Sequence, residues 1–211
     1  MFFSRSPKKL DIQSGYDQWA ATYAYEKNPI KSTSDEIIIK MLPHLNGKRV
    51  MDAGCGSGYF CQHAEREGAK EIVGIDFSSK MVEQAIKICK YTKFLVGDIQ
   101  NIDLQESSVD ILICALVLGH VEKIDMVISK FSKTLVKDGV LVISDFHPFL
   151  SLKGQRRTFR NGKEVLEVPH YIHMLHRYIN LLTQSGFAIE QMEEPFWQGN
   201  PVIFVLKAKK L

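Results

Sequence analysis

The sequence has no hydrophobic segment long enough to cross a bilayer. Its longest apolar run, residues 111–119, falls well short of the roughly 20 residues that a membrane-spanning helix needs. The first ten residues, MFFSRSPKKL, contain no apolar stretch of the kind found in signal peptides. The formal net charge of +3 is too small to indicate a polyanionic partner by itself. We therefore expect neither a membrane nor a nucleic acid as partner.

Cysteine and histidine patterns typical of metal or redox sites are also missing. No C-x-x-C pair occurs, and three of the four cysteines fall in segments predicted to be buried. Reduced thiols in a cytosol are the simplest explanation, so we expect a cytoplasmic protein. His170, His173 and His176 are spaced by three, but the first and third would diverge around a helix. We predict no metal site.

From Arg49 onward, apolar stretches alternate with amphipathic ones. Nearly continuous runs of valine and isoleucine are typical of parallel strands that are covered on both faces. Helices are predicted between these runs, one capped by Ser78 or Ser79 and one that ends at Asp138-Gly139. The predicted strands are 49–53, 71–76, 93–98, 109–116 and 139–146. Strands that alternate with helices indicate a doubly wound α/β sheet.

We predict one domain, residues 1–211, with segments before and after this core. In the first segment, Tyr16, Trp19 and Tyr23 share one helix face, which suits a lid and a packed core helix equally. Thr33 to Glu36 fits a capping box for a second helix. The predicted parts are a helical lid (1–46), a core (47–146), an insertion with a helix at 170–185 (147–180), and a C-terminal strand pair, 187–194 and 202–209, within 187–211.

The segment VMDAGCGSGY, residues 50–59, is predicted to bind a ligand against its main chain. It follows a strand and precedes a helix, and its three glycines remove Cβ atoms from the binding surface. Tyr59 stands where a dinucleotide fingerprint needs its last glycine, and Asp52 would repel a pyrophosphate. S-adenosylmethionine suits the segment because it has no phosphate and carries a positive ammonium and sulfonium.

Two further acids end the next two predicted strands. Asp76 can accept hydrogen bonds from both ribose hydroxyls, and Asp98 can accept one from the adenine amino group, with Ile99 against the ring. The carboxyl ends of parallel strands meet at one edge of the sheet, where open α/β folds bind their ligands. Three strand-terminal acids in register therefore favour one nucleoside-containing cofactor.

These segments resemble the class I S-adenosylmethionine-dependent methyltransferases, most closely the small-molecule type of the quinone and malonyl-carrier methylases. YDQWAATY (16–23) is similar to the segment that closes over the cofactor, VMDAGCGSG to motif I, IDFSSKMVEQA to motif II and VGDI to motif III. VDILICALVLGHV and LVKDGVLVISDF resemble the fourth and fifth strands.

This resemblance implies a Rossmann-like, mostly parallel sheet of seven strands with the last strand antiparallel. It implies methyl transfer from S-adenosylmethionine to a small organic acceptor, with S-adenosylhomocysteine as product. The implied cofactor-site residues are Tyr16, Tyr23, Asp52, Ala53, Gly54, Cys55, Gly56, Asp76, Phe77, Met81, Gly97, Asp98, Ile99, Cys114, Ala115 and Leu116.

Two histidines are candidates for a catalytic base or for orienting the acceptor. His120 and His147 follow the fourth and fifth predicted strands, so both should reach the same edge of the sheet. Many family members carry a second histidine where Gly119 stands. Pro148, next to His147, fits equally well a rigid turn in which the imidazole is inert.

Two other functions remain open at the level of sequence. The chain could be a non-catalytic protein that binds S-adenosylmethionine, or an RNA or protein methyltransferase that uses the basic stretch at 153–163. That stretch contains one aromatic residue, and a solvated loop is the favoured interpretation. The tetrapeptide N/D-P-P-Y/F of amino-methylating nucleic-acid enzymes is replaced by CALV at 114–117.

Overall fold

Strands and helices alternate along the chain as the apolar pattern predicts. The computed structural model describes residues 7–26, 28–162 and 164–211. The strands are β1 (Lys8–Lys9), β2 (Arg49–Ala53), β3 (Glu71–Asp76), β4 (Lys93–Val96), β5 (Val109–Ala115), β6 (Leu135–Phe146), β7 (Thr158–Asn161), β8 (Glu164–Glu167), β9 (Phe187–Glu193), β10 (Phe196–Trp197), β11 (Asn200–Pro201) and β12 (Ile203–Lys210). The helices are α1 (Ile12–Tyr23), α2 (Pro29–Met41), α3 (Tyr59–Arg66), α4 (Ser79–Ile88), α5 (Ile124–Thr134), α6 (Pro148–Leu152) and α7 (Leu175–Gln184), with a 3₁₀ turn at Leu118–His120.

A seven-stranded sheet in the order β4-β3-β2-β5-β6-β12-β9 forms the centre of the fold. The pairs from β4 to β6 are all parallel, whereas β12 runs antiparallel to both of its neighbours. The predicted α/β fold with an antiparallel last strand is confirmed. Because β3 and β5 lie on opposite sides of β2, the chain reverses its direction of winding there. The crevice at the carboxyl ends of β2 and β5 is where such a sheet binds ligands.

Both faces of this sheet are covered by helices, as the continuous apolar strands require. Along β5, Leu112 packs into one core cluster and its neighbours Ile111 and Ile113 into the other, which is the two-residue period of a strand. The first cluster includes apolar side chains of α5 and α7, and the second those of α2 and α3. The described residues include no helix with both the length and the apolar character that a bilayer crossing requires.

Several element boundaries differ from the sequence-based expectation. The second helix begins at Pro29 rather than after a capping box at Thr33, because the side chain of Asn28 accepts a hydrogen bond from the Lys31 amide. Helix α5 ends at Thr134, and β6 starts at once, with Asp138 in a left-handed conformation inside the strand. The predicted cap of α4 is confirmed as Ser78.

The predicted helix at 170–185 starts only at Leu175, so His170 and His173 lie in the non-helical segment before it. Met174, the residue that precedes the helix, makes no side-chain cap. The predicted C-terminal strand pair is present as β9 and β12, which pair antiparallel. The connection between them contains a short antiparallel hairpin of β10 and β11.

A second, three-stranded sheet that the sequence did not predict lies in the order β1-β8-β7. It joins the start of the chain to the insertion through parallel pairs, with Lys8 opposite Leu166. Helix α1 packs against it: the rings of Trp19 and Phe159 are stacked, with their centres 4.5 Å apart. A Cβ atom on Gly15 would lie 2.2 Å from Cγ1 of Val168, so this close approach requires glycine. The N-terminal helix and the insertion therefore form one packed unit.

Candidate active site

The glycine loop after β2 lies tightly against the ends of the neighbouring strands. Gly54, Gly56 and Gly58 all have positive φ angles, of 84°, 50° and 88°. The amides of Gly54 and Cys55 both donate to the carbonyl oxygen of Ile75, at 2.7 and 2.9 Å. These contacts leave the loop no freedom to move away from β3. The predicted turn from strand to helix is present, since α3 starts at the next residue, Tyr59.

Asp76 is the anchored carboxylate of the site. It ends β3, is 9% exposed, and accepts hydrogen bonds from the amide of Gly56 through Oδ2 (2.8 Å) and from the amide of Ser78 through Oδ1 (2.9 Å). Burial raises the pKa of Asp76 to about 6, although the two amides oppose this effect. Each oxygen keeps a further lone pair, so a fixed carboxylate remains able to accept hydroxyl groups.

A cavity of about 210 Å³, called here the rim cavity, opens at the carboxyl ends of the strands. Twelve of the sixteen predicted cofactor residues line it: Tyr16, Tyr23, Gly54, Gly56, Asp76, Phe77, Met81, Gly97, Asp98, Ile99, Ala115 and Leu116. Its wall also contains residues that sequence reasoning missed: Ile12, Ile75, Gln100, Val117 and Val121. Val117 and Val121 belong to the segment VDILICALVLGHV, so the motif itself could have indicated them.

The loop that carries Asp98 forms another wall of the rim cavity. Asp98 accepts hydrogen bonds from the amide of Gln100 (2.9 Å) and from the side chain of Asn101 (3.0 Å). From the opposite side, the ammonium of Lys130 donates to the carbonyl oxygens of Ile99, Gln100 and Ile102 at 2.7 to 3.2 Å. The loop is therefore held in place before any ligand binds.

Four predicted cofactor residues do not line the rim cavity. Asp52, Ala53, Cys55 and Cys114 are buried, at 6% exposure or less. Ala53 and Cys114 point into one core cluster and Cys55 into the other. Both faces of the sheet are covered, so the side chains of Asp52, Ala53 and Cys114 are buried on whichever face of their strand they point to. Cys55 follows β2 and is turned into the core from the loop.

Asp52 is a buried acid without a full set of partners. It is 1% exposed, its Oδ1 has no hydrogen-bond partner, and its Oδ2 lies 3.7 Å from the thiol of Cys61. Burial raises the pKa of Asp52 to about 7, and the charge of Asp76 adds to this effect. A glycine cradle backed by an unsatisfied buried carboxyl fits the positively charged methionine end of S-adenosylmethionine and does not fit a phosphate.

A second cavity, called here the side cavity, adjoins the first and measures about 200 Å³. It is bounded by α1, α2, α6 and β7, and its walls include Trp19, Phe146 and Phe159. Four residues line both cavities: Tyr16, Tyr23, Leu116 and His120. The two cavities therefore lie next to each other at these four side chains.

His120 is a neutral imidazole whose tautomer follows from its contacts. Its Nδ1 lies 2.9 Å from the carbonyl oxygen of Pro169, which can only accept, so Nδ1 carries the proton. Nε2 then accepts a hydrogen bond from the hydroxyl of Tyr16, at 2.9 Å. Burial lowers the pKa of His120 and raises that of Tyr16, so both groups are neutral at pH 7. His120 thus presents a basic nitrogen at the wall between the cavities.

His147, the other predicted catalytic residue, lines neither cavity. Its Nδ1 caps α6 by accepting the amide of Phe149 (3.2 Å), and its Nε2 lies 2.9 Å from Oε1 of Glu194. The expectation that it reaches the ligand edge is not supported. The rigid turn that Pro148 suggested is the geometry observed.

The histidines of the 170–176 segment contact different parts of the fold. The ring of His170 lies 2.9 Å from the hydroxyl of Ser151, and that of His173 lies 2.7 Å from the carbonyl of Val121. Among the residues that the structure describes, no three His, Cys, Asp or Glu side chains are grouped so that they could hold a metal ion.

Three features define the class of protein. They are the seven-stranded sheet with its antiparallel strand β12, the glycine loop after β2, and the acid that ends β3. Together they constitute the class I S-adenosylmethionine-dependent methyltransferase fold. The chain belongs to the methyltransferase domain family, which matches residues 44–193. This membership confirms the resemblance to methyltransferases that the motifs indicate. S-adenosylmethionine is the cofactor that the motifs imply and that the glycine loop and Asp76 fit.

Two relatives are similar over most of this chain. An uncharacterized protein of Haemophilus influenzae is 29% identical over 226 residues, which cover 89% of this chain and 88% of that protein. A malonyl-(acyl-carrier protein) O-methyltransferase of Hamiltonella defensa is 24% identical over 169 residues. That match covers 80% of this chain but 63% of the enzyme's own length.

Solved structures show the same fold. The S-adenosylmethionine-dependent methyltransferase of Mesorhizobium loti superposes with a TM-score of 0.73 at 23% identity, over 83% of this chain and 96% of that one. The magnesium protoporphyrin IX methyltransferase of Synechocystis, with bound S-adenosylhomocysteine, gives a TM-score of 0.69 at 23% identity over 94% of each chain.

Proposed function

We propose that this protein transfers a methyl group from S-adenosylmethionine to a small organic acceptor bound in the side cavity. The observation that carries the proposal is the wall of Tyr16, Tyr23, Leu116 and His120 that the two cavities share. Proximity and alignment supply most of the rate in a methyl transfer, and adjoining cavities are the arrangement that provides them.

The residues of the rim cavity are suited to the parts of the cofactor. Asp76 holds the ribose hydroxyls, Asp98 receives the adenine amino group, and Ile99 packs against the ring. The glycine loop takes the methionine end, with the carboxyl group of Asp52 behind it, and the positive ammonium and sulfonium of the bound cofactor would favour ionisation of that carboxyl. Bound S-adenosylmethionine supplies a methyl carbon whose bond to sulfur breaks with both electrons left on sulfur, which gives S-adenosylhomocysteine.

His120 is proposed to act on the acceptor. When the acceptor is a hydroxyl or an amine, its lone pair forms the new bond to carbon and its proton must leave. Nε2 of His120 is the unprotonated nitrogen at the shared wall, and it accepts a hydrogen bond from the hydroxyl of Tyr16. The acceptor's proton is therefore passed to the Tyr16 oxygen while the Tyr16 proton moves to Nε2. The N-terminal helix and the insertion are proposed to close the side cavity against water.

The size of the side cavity and its basic residues favour a small acceptor over RNA. Within the basic stretch, Arg157 faces the cavity, Arg156 forms an ion pair with Glu167, and Lys153 donates to Asn200. A phosphate backbone would have to compete with these contacts for the same charges. The names of similar proteins describe methyl transfer to a malonyl-carrier protein and to a magnesium protoporphyrin.

A cytoplasmic location belongs to the same proposal. In the described part of the chain, Cys55, Cys61, Cys89 and Cys114 are all free and buried, which suits a reducing compartment.

Calorimetry and a transfer assay together test the proposed function. We expect S-adenosylmethionine and S-adenosylhomocysteine to bind the purified protein, and turnover to appear with some member of a panel of small hydroxyl, amine and carboxyl compounds. With a hydroxyl acceptor, His120→Ala should lower kcat by about 10²-fold or more, which is the usual contribution of a positioned base. Cofactor binding without transfer to any acceptor would favour the non-catalytic alternative, and no cofactor binding would refute both.

A further inference from the structure

Three lysine and arginine side chains line the side cavity, and two of them form an ion pair with an acidic residue. Lys31 lies 2.6 Å from Asp35, and Arg156 lies 3.2 Å from Glu167. The third, Arg157, forms no ion pair with any residue that the structure describes. The side cavity therefore contains one cation without an acidic partner in the described part of the chain.

The position of Arg157 is set by an aromatic ring and not by a carboxylate. Its guanidinium carbon lies 3.4 Å from the centre of the Phe146 ring, which is a cation–π contact. No described residue accepts a side-chain hydrogen bond from this guanidinium, so its N–H groups can donate to a ligand. Its backbone carbonyl accepts a hydrogen bond from the amide of Val168, which fixes the chain at this point. Burial lowers the pKa of Arg157, as expected for a cation withdrawn from water.

Two acids near Arg157 are already engaged elsewhere. Asp145 accepts the amide of Phe146 through Oδ1 and the hydroxyl of Tyr178 through Oδ2, at 2.7 and 2.9 Å. Glu26, the acid in the wall of the side cavity, accepts the indole N–H of Trp19. The charge of Asp145 helps to keep Arg157 protonated, but neither acid is bonded to it.

Part of the wall of the side cavity is apolar. Trp19 and Phe159 form a stacked pair there, and Leu150 and Val168 also line the cavity. A ligand can therefore place an apolar body against this part of the wall and one anionic group against the guanidinium.

We infer that the acceptor is a small carboxylic acid with an apolar body, and that Arg157 binds its carboxylate. The planar guanidinium matches two carboxylate oxygens at once, and a single unpaired cation matches a singly charged anion better than a phosphate. This inference rests on the proposed function, because it concerns the second substrate of the same site. Arg157 would then select the acceptor and hold its orientation towards the wall that Tyr16 and His120 share with the rim cavity.

Binding of matched acids and amides to the protein saturated with S-adenosylhomocysteine tests the inference. The probes are 4-hydroxybenzoate with 4-hydroxybenzamide, and hexanoate with hexanamide, measured by calorimetry or by ligand-observed NMR. In the wild type, at least one acid should bind about tenfold or more tightly than its amide, which is the usual effect of a charged hydrogen bond. Arg157→Met should abolish this preference, and Arg157→Lys should keep part of it because the charge remains without the planar fork.

Arg160→Met is the matched control, since Arg160 lies two positions beyond the start of β7, is exposed and lines neither cavity. It should leave the preference for acids unchanged. Equal binding of acids and amides, no binding of either, or a preference that survives Arg157→Met would overturn the inference while leaving the proposed function intact. Failure of S-adenosylhomocysteine to bind would instead refute the proposed function. The wild-type comparison stands even if an Arg157 variant does not fold.

Discussion

The hydroxyl of Tyr16 donates a hydrogen bond to Nε2 of His120, and the two atoms are 2.9 Å apart. Tyr16 belongs to the N-terminal helix, and His120 to the 3₁₀ turn after β5, so the contact ties the start of the chain to the centre of the sheet. Both side chains line both cavities. This pair is therefore the point at which the cofactor side and the acceptor side of the proposed site meet.

We expect His120 to be neutral at pH 7, with its proton on Nδ1. Nitrogen-15 NMR of the imidazole should show this tautomer and a pKa below 6.5, because burial disfavours the charged ring. In Tyr16→Phe, the pKa should rise, since a hydrogen bond that stabilises the neutral form is lost. The ring of the exposed His176 serves as an internal reference. A proton found on Nε2, or a ring charged at pH 7, would contradict the assignment.

Asp76→Asn should weaken binding of S-adenosylhomocysteine about tenfold or more, because a charged acceptor is lost from the ribose position. The asparagine side chain also offers one acceptor oxygen where the carboxylate offers two. The amide of Gly56 or that of Ser78 must then give up its partner.

Calorimetry measures this effect, with Asp103→Asn as the control, because Asp103 is exposed and lies outside the rim cavity. Thermal melts separate a loss of binding from a loss of folding. Undiminished affinity in Asp76→Ala would remove Asp76 from the cofactor site.

The stability of the cofactor-free protein should fall as the pH rises from 4 to 8. Burial raises the pKa of Asp52 from 3.8 to about 7, so between these values the folded state binds a proton that the unfolded state has lost. Raising the pH through this window therefore favours unfolding, and Asp76, with a pKa of about 6, contributes in the same direction.

Asp52→Asn removes the larger of these two effects. At pH 8, we expect the variant to be more stable than the wild type by roughly 2 to 4 kcal/mol, and at pH 4 the difference should nearly vanish. Urea unfolding at the two pH values measures the change, and Asp103→Asn should show little change at either. A wild type that gains stability between pH 5 and 8 would count against a protonated Asp52.

Gly54→Ala should destabilise the protein far more than Gly47→Ala. Both glycines have positive φ angles, of 84° and 72°, so each alanine pays the same backbone penalty of about 1 kcal/mol. A Cβ atom at Gly47 meets nothing within 4 Å, whereas one at Gly54 would lie 2.1 Å from Cγ2 of Val117.

The difference in free energy of unfolding between Gly54→Ala and Gly47→Ala thus measures the cost of disturbing the contact between Gly54 and the loop after β5. Free energies of unfolding from urea titrations compare the two variants. We expect Gly54→Ala also to lose cofactor affinity, because Val117 must move and it lines the rim cavity. Equal destabilisation by the two variants would show that the contact with Val117 is unimportant.

Local patterns were sufficient for the parallel strands because burial on both faces leaves a continuous apolar run. The expected strand at 109–116 is observed as Val109–Ala115, and that at 49–53 as Arg49–Ala53. Local patterns failed for the three-stranded sheet, since β1 is only two lysines and its partner, Leu166, is far away along the chain. Such non-local pairing leaves no periodic signal in either segment.

Local sequence patterns were also insufficient to predict the directions of two histidines and of Arg157 at the candidate site. His120 and His147 occupy equivalent places after consecutive strands, yet one reaches the shared wall and the other caps a helix. Arg157 lies in a stretch that reads as a solvated basic loop, but packing of the insertion against α1 turns it into the side cavity. The direction of a side chain on a loop depends on what packs against that loop.

The sequence by itself determined the sheet, the glycine loop and the acids at its edge, because strand burial, missing Cβ atoms and strand-terminal charge are properties of neighbouring residues. Only the tertiary structure decided which of those residues face the rim cavity, which histidine lines both cavities and which cation of the side cavity has no ion pair among the described residues. Those outcomes depend on contacts between segments more than a hundred residues apart, such as that of Tyr16 with His120. The free energies of such non-local contacts are not encoded in the pattern of neighbouring residues.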